Sequence, residues 1–153
     1  MKIAIVTGAS SGMGRETAVQ LADRFAGFGE IWLVARREER LSQLEEILPV
    51  PVRKFAIDLT DREQLAELET ALQNEQPDVK ILVNASGYGK MGRVGSVSTE
   101  EETGMVRLNC EALCAVTHMV LPYMSKNSRI IQYASSASFP VSYTHLRAHE
   151  TRR

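Results

Sequence analysis

Three glycines, Gly8, Gly12 and Gly14, stand where a short apolar run passes into a helical pattern. Glycine lets a backbone approach a ligand closely or turn with positive φ. A loop that then opens a helix offers free N–H groups and the positive end of the helix dipole, which suit a phosphate. A second group, Gly87, Gly89, Gly92 and Gly95, follows a later apolar run, and all 10 glycines precede Met105. Ordinary turn glycines are the alternative, and one loop alone would not separate the two readings. Two such loops at strand ends favour a nucleotide, because open doubly wound sheets bind ligands outside the carboxyl ends of the strands where the strand order reverses. Asn109 is the other polar residue with a pointed position. It falls on a helical stripe of Met105, Ala112, Val116 and Met119, where an amide needs hydrogen-bond partners. A structural amide bridging that helix to the neighbouring strand loop would answer the same need.

The elements that must carry these residues alternate along the chain. Buried strands are expected at 2–7, 31–34, 52–57, 79–83 and 129–133, where short apolar runs meet turn residues. Between them lie amphipathic helices. The first spans 12–26 with Ala18, Leu21, Ala22 and Phe25 on one face. The second spans 38–48 with a Leu41, Leu44, Leu48 stripe, stopped by Pro49 and Pro51. Thr60 with Glu63 suggests a capping box ahead of Leu65, Leu68 and Leu72, and Ser98 with Glu101 suggests another opening a long helix to about Met124. Strands alternating with helices predict an α/β fold, a doubly wound parallel sheet with helices on both faces.

Composition agrees with one folded domain. The chain has 153 residues, 44% hydrophobic and 24% charged, enough apolar surface for a core. A net charge of -1 gives no reason to expect a nucleic-acid partner. No apolar run reaches membrane-spanning length, so no membrane partner is expected. Cys110 and Cys114, four apart in a helical pattern, make no disulfide framework, and a reducing cytoplasm is the expected location.

The segment Thr7-Gly8-Ala9-Ser10-Ser11-Gly12-Met13-Gly14 resembles the Thr-Gly-x-x-x-Gly-x-Gly fingerprint of the short-chain dehydrogenases/reductases. Further segments are similar to that family in order. Asp58-Leu59-Thr60 resembles its acidic motif after strand three. Asn84-Ala85-Ser86-Gly87 resembles its Asn-Asn-Ala-Gly motif, with Ala85 in place of the second asparagine. Asn109 stands at its helix asparagine, and Arg129 to Ser135 resembles the strand that ends in its catalytic serine. The resemblance implies a Rossmann-type sheet of order 3-2-1-4-5 and hydride transfer between a nicotinamide dinucleotide and a carbonyl/alcohol substrate. It also implies a cofactor site drawn from Gly8, Ser10, Ser11, Gly12, Met13, Gly14, Asp58, Leu59, Asn84, Ala85 and Gly87, with Asn109 as anchor of a proton relay. Ser135 and Ser136 are both candidates for the serine, and the register counted from Arg129 favours Ser135. The intact protein is expected to be a homo-oligomer.

Charge bears on which dinucleotide. NAD sites place an acid near the end of strand two, on the ribose hydroxyls. Here that strand ends Val34-Ala35-Arg36-Arg37. Two guanidiniums suit a 2′-phosphate, so Arg36 and Arg37 point to NADP over NAD. A basic corner paired with Glu38 and Glu39 is the plainer alternative.

The pattern breaks after Pro140. Family spacing places the catalytic tyrosine at Ala148, and Tyr143 is followed four residues later by Arg147 where lysine is required. Residues 141–151 resemble one translated frame of adapter DNA used in transposon-based sequencing libraries, with Arg152 and Arg153 from the index beyond. The expected organisation is a partial dinucleotide-binding domain over 1–140 and a non-native tail over 141–153. His145 and His149 could share a metal, but no Cys, Asp or further His stands near, so none is expected. Without the tail the chain has 15 basic and 18 acidic residues, a net charge of -3. As written, the chain is expected to lack dehydrogenase turnover. A non-catalytic nucleotide-binding or interaction module is the alternative, and a Rossmann-like methyltransferase a third that the glycine spacing, Ser135 and the arginine pair disfavour.

Overall fold

The structure, a computed structural model, describes residues 1–135 other than 26 and 94. The tail at 141–153, Ser136, Tyr143, His145, Arg147, Ala148 and His149 lie outside the described residues.

The chain runs β1 (Lys2–Thr7), α1 (Gly12–Arg24), β2 (Glu30–Val34), α2 (Glu38–Glu45), β3 (Val52–Phe55), α3 (Arg62–Glu75), β4 (Asp78–Asn84) and α4 (Thr99–Val106). A π-helical segment, Arg107–Ala112, then joins α4 to α5 (Leu113–Val120), followed by a single 3-10 turn, Leu121–Tyr123, and β5 (Arg129–Gln132). The five strands form one parallel sheet of order β3-β2-β1-β4-β5, as expected. The central strands β2, β1 and β4 are buried on both faces, since their side chains alternate between two layers of helices. Ile3 and Ile5 of β1 join Leu65, Leu68 and Leu72 of α3 and Val116 and Val120 of α5. Ala4 and Val6 join Ala18 and Leu21 of α1 and Leu41 and Leu44 of α2. Trp32 is fully buried against Phe55 with ring centroids 5.2 Å apart, and its Nε1 donates to Glu30 at 2.6 Å. Every residue of β5 is exposed.

Several expectations need correction. Phe25 lies outside α1 as its C-cap and is 51% exposed, so it is not part of the buried face. The second helix ends at Glu45 and the third strand at Phe55, short of 48 and 57. Thr60 does not cap α3. Its N–H and hydroxyl are both spent on Asp58 Oδ1, at 2.9 and 2.8 Å, and Asp61 is the N-cap. Ser98 caps α4 as expected, accepting from the Glu101 N–H. The long helix reaches Tyr123 but is not one α-helix. The π segment shifts the phase of the side chains, so the buried positions are Ala112, Val116 and Val120, while Asn109 is exposed.

Asp61 gives a pH test of the cap. Its carboxylate accepts from the backbone N–H of Gln64, the Gln64 side-chain amide and the backbone N–H of Glu63, in that order of effect, and these bonds hold its pKa below the usual aspartate value. A carboxyl with a lowered folded pKa contributes stability that is full above the unfolded pKa and fades as pH falls through the folded one. Asp61→Ala is expected to lower the urea midpoint at neutral pH. The gap to the unsubstituted protein should close in acid, and a gap independent of pH would exclude a charged cap.

Candidate functional site

The register puts the carboxyl ends of the strands at one level. Thr7 pairs with Val34 and Asn84, and Asn84 with Gln132. Just beyond this level the chain supplies Gly8, Ala35, Ala85 and Tyr133, with Asp58 after β3. A cleft of about 300 Å³ opens there. Of the expected cofactor residues, Gly8, Ser10, Ser11, Gly12, Met13, Arg36, Arg37, Asp58, Leu59, Ala85 and Gly87 line it. Gly14 and Asn84 do not, and neither do Gly89, Gly92 and Gly95 of the second glycine group.

The two loops touch through their backbones. Gly8 has φ +67, and a Cβ there would lie 2.5 Å from the Ala85 carbonyl oxygen. The buried Thr7 hydroxyl accepts from the N–H groups of Ala85 and Ser86, both at 3.2 Å, and so clamps the second loop to the end of β1. Gly14 serves packing. A Cβ on it would meet the Gly8 carbonyl oxygen at 2.5 Å, so its absence lets α1 start against the loop.

The electrostatics at the start of α1 suit an anion. Ser11 is the N-cap but makes no side-chain cap bond, and the first turn holds no acid. Instead Arg37 Nη2 donates to Ser10 Oγ and Ser11 Oγ, each at 3.0 Å. A guanidinium at a helix N-terminus has the wrong sign for the helix dipole, whereas an anion there is favoured by the dipole and by the free N–H groups together. Arg36 Nη1 stands 3.7 Å from Asp58 Oδ2, an exposed guanidinium against a half-buried carboxylate that solvent still reaches, a pair of little energetic weight. The glycine cradle, the uncapped helix start and the two arginines together fit a dinucleotide phosphate group.

Asn109 is held as the sequence's structural alternative described. Its Oδ1 accepts from Tyr88 N–H at 3.0 Å and its Nδ2 donates to Tyr88 O at 2.8 Å, so the amide bridges the π segment to the loop after β4. One Nδ2 hydrogen and one Oδ1 lone pair remain for other partners. Gly104 makes room for this loop, since a Cβ there would lie 2.6 Å from the Tyr88 hydroxyl. Asn84 is buried and donates to Thr117 Oγ1 at 2.9 Å, which ties β4 to α5 away from the cleft. Ser135 is exposed just past β5. Sequence reasoning missed Thr7 as the clamp, and Ala35, Ile57, Ser86 and Leu108 as cleft walls. Thr7 carried a signal: a hydroxyl ending an otherwise apolar strand must find a partner inside.

The chain matches the family profile for short chain dehydrogenase over residues 2–147. An uncharacterized oxidoreductase of Staphylococcus epidermidis is 30% identical over 145 residues, 94% of this chain and 62% of that protein. A bulky-bulky ketone specific alcohol dehydrogenase from Comamonas testosteroni has a similar structure, with TM-score 0.79 and 29% identity over 94% of this chain and 58% of that one. A short-chain dehydrogenase from Sphingobium yanoikuyae, solved with NADPH, gives TM-score 0.75 and 28% identity over 94% of this chain and 57% of that one. The chain thus spans about three fifths of the length of these relatives. Among the described residues no helix is long and apolar enough to cross a membrane.

Proposed function

The chain belongs to the short chain dehydrogenase family, and from that premise we propose that its cleft binds NADP(H) in preference to NAD(H), as the cofactor half of a carbonyl/alcohol oxidoreductase. The observation that carries this reading is Arg37 drawn onto Ser10 and Ser11 at the uncapped start of α1, with Arg36 beside it and no acid at the tip of β2. The NADPH bound by the Sphingobium relative supports it.

When bound, the dinucleotide supplies or takes the hydride. In the proposed arrangement the helix start and Gly8 loop take the pyrophosphate, Arg36 and Arg37 take the 2′-phosphate, and Asp58 and Leu59 face the adenine end. Ser135 donates a hydrogen bond to the substrate oxygen, and the remaining Asn109 donor anchors the proton path. The proton itself has no carrier of the family type, because none of Tyr88, Tyr123, Tyr133 and Tyr143 has lysine four residues on. We therefore propose that the 153-residue polypeptide binds cofactor without turnover, residues 1–140 forming the domain and 141–153 a non-native tail. This absence favours a second reading, a non-catalytic nucleotide-binding module. The protein is assigned to the cytoplasm, supported by the free thiols of Cys110 and Cys114.

Fluorescence titration tests the reading. NADPH is expected to bind at least about tenfold more tightly than NADH, the effect of one charge-assisted contact. No binding of either dinucleotide would overturn it. Steady NADP-dependent oxidation of any alcohol by the same polypeptide would overturn the claim of inactivity.

A further inference from the structure

Tyr133 is the first residue past β5, and its side chain is not among the residues that line the cleft. Its N–H donates to the Asn84 carbonyl at 3.0 Å, extending the β4–β5 ladder by one residue. Its ring reaches to α1, where its hydroxyl lies 2.7 Å from Thr17 Oγ1. The direction of that bond follows from the next one. Thr17 Oγ1 donates its single hydrogen to the Met13 carbonyl at 2.7 Å, so Tyr133 must be the donor to Thr17. The two bonds form a chain from β5 to the first turn of α1, and hydrogen bonds in such a chain polarise and strengthen one another.

Met13 is in that first turn and lines the cleft. Ser135 lies two residues beyond Tyr133. The chain therefore links the segment that carries the serine to the helix start that would hold phosphate. Alone, a threonine bonded back to the carbonyl four residues earlier tends to bend a helix. A donor arriving from another element fixes where that bent turn sits. Position matters here, because a displacement of about 1 Å at a binding group can cost orders of magnitude in function.

We propose that Tyr133, acting through Thr17, is a positioning residue that sets the first turn of α1 for the dinucleotide pyrophosphate. The proposal rests on the reading of the cleft as a dinucleotide site. It separates two parts of the ligand. The pyrophosphate meets the helix start that Tyr133 braces, whereas the adenosine 2′-phosphate end meets Arg36 and Arg37, which Tyr133 does not touch.

The test titrates the 153-residue protein with NADPH and with adenosine 2′-monophosphate, which has the adenosine and 2′-phosphate but no 5′-phosphate to reach the helix start. Tyr133→Phe removes only the hydroxyl. It is expected to raise the Kd for NADPH about fivefold, the effect of one lost hydrogen bond, and to leave the adenosine 2′-monophosphate Kd unchanged. Thr17→Val should act the same way, the double variant should be no worse than either single one, and Thr17→Ser, which keeps the hydroxyl, should bind as the unsubstituted protein does. Unchanged NADPH affinity in Tyr133→Phe, or equal losses for both ligands, would overturn the inference and leave the site reading intact. An unsubstituted protein that binds neither ligand would sink the site reading, and the inference with it.

Discussion

Gly8→Ala is expected to abolish dinucleotide binding and to destabilise the fold by about 2–5 kcal/mol, the sum of left-handed strain and overpacking. The added methyl would meet three backbone atoms, Ala85 O at 2.5 Å, Ala85 C at 2.7 Å and Ser86 N at 2.8 Å. None of these can rotate away as a side-chain end could. Relief requires the two loops to part, and that breaks the Thr7 clamp on Ala85 and Ser86 and opens the cleft that both loops build. Gly12→Ala is the control for strain alone. Its φ is +57, but nothing lies within 4 Å of the new Cβ, so only the conformational cost of about 1–2 kcal/mol applies. Urea unfolding should rank Gly8→Ala well below Gly12→Ala, and NADPH titration of the Gly8 variant should show no saturation. A Gly8→Ala protein that binds NADPH like the unsubstituted one would mean that the two loops do not form a single site.

Arg37→Glu is expected to reverse cofactor preference. Loss of a charge-assisted contact to a phosphate costs about 1.5–3 kcal/mol, so NADPH affinity should fall by about 10- to 100-fold. NADH affinity should hold or rise, because an acid at the end of β2 can accept from the ribose hydroxyls. The unliganded protein should behave in the opposite sense. Arg37 places positive charge at the start of α1 against the helix dipole, and glutamate there would be favourable. A higher thermal midpoint together with weaker NADPH binding would mark Arg37 as a residue kept for the ligand at some cost to the helix. Equal losses for NADPH and NADH would instead make it a structural tie between β2 and the Ser10–Ser11 loop.

Much of the site was legible because its signals are local. The Gly8, Gly12 and Gly14 spacing announced the loop, and the cleft forms around Gly8 and Gly12. Arg36 and Arg37 stood next to the end of an apolar run, and they reach the cleft because that run is β2. Asn109 was harder. Its partners were foreseen in kind, but its exposure was not, because the π segment at Arg107–Ala112 moves it off the stripe. Nothing in a 3.6-residue period signals one widened turn. The cap of α3 failed for a similar reason. Thr60 and Asp61 are both good caps by type, and only the competing bond to Asp58 decides between them.

By itself, the sequence determined the order and type of the elements, the parallel sheet and the position of its first glycine loop. These follow from period, chain direction and glycine placement, which are properties of short stretches. Tertiary structure alone decided which groups meet across those stretches. Thr7 clamps Ala85 and Ser86, Arg37 closes on Ser10 and Ser11, and Tyr133 reaches Thr17 over a separation of 116 residues. Such contacts depend on strand order and register, which set residues distant in the chain a few ångströms apart. A hydrogen bond is lost within one ångström of misplacement, finer than any hydrophobic pattern can specify.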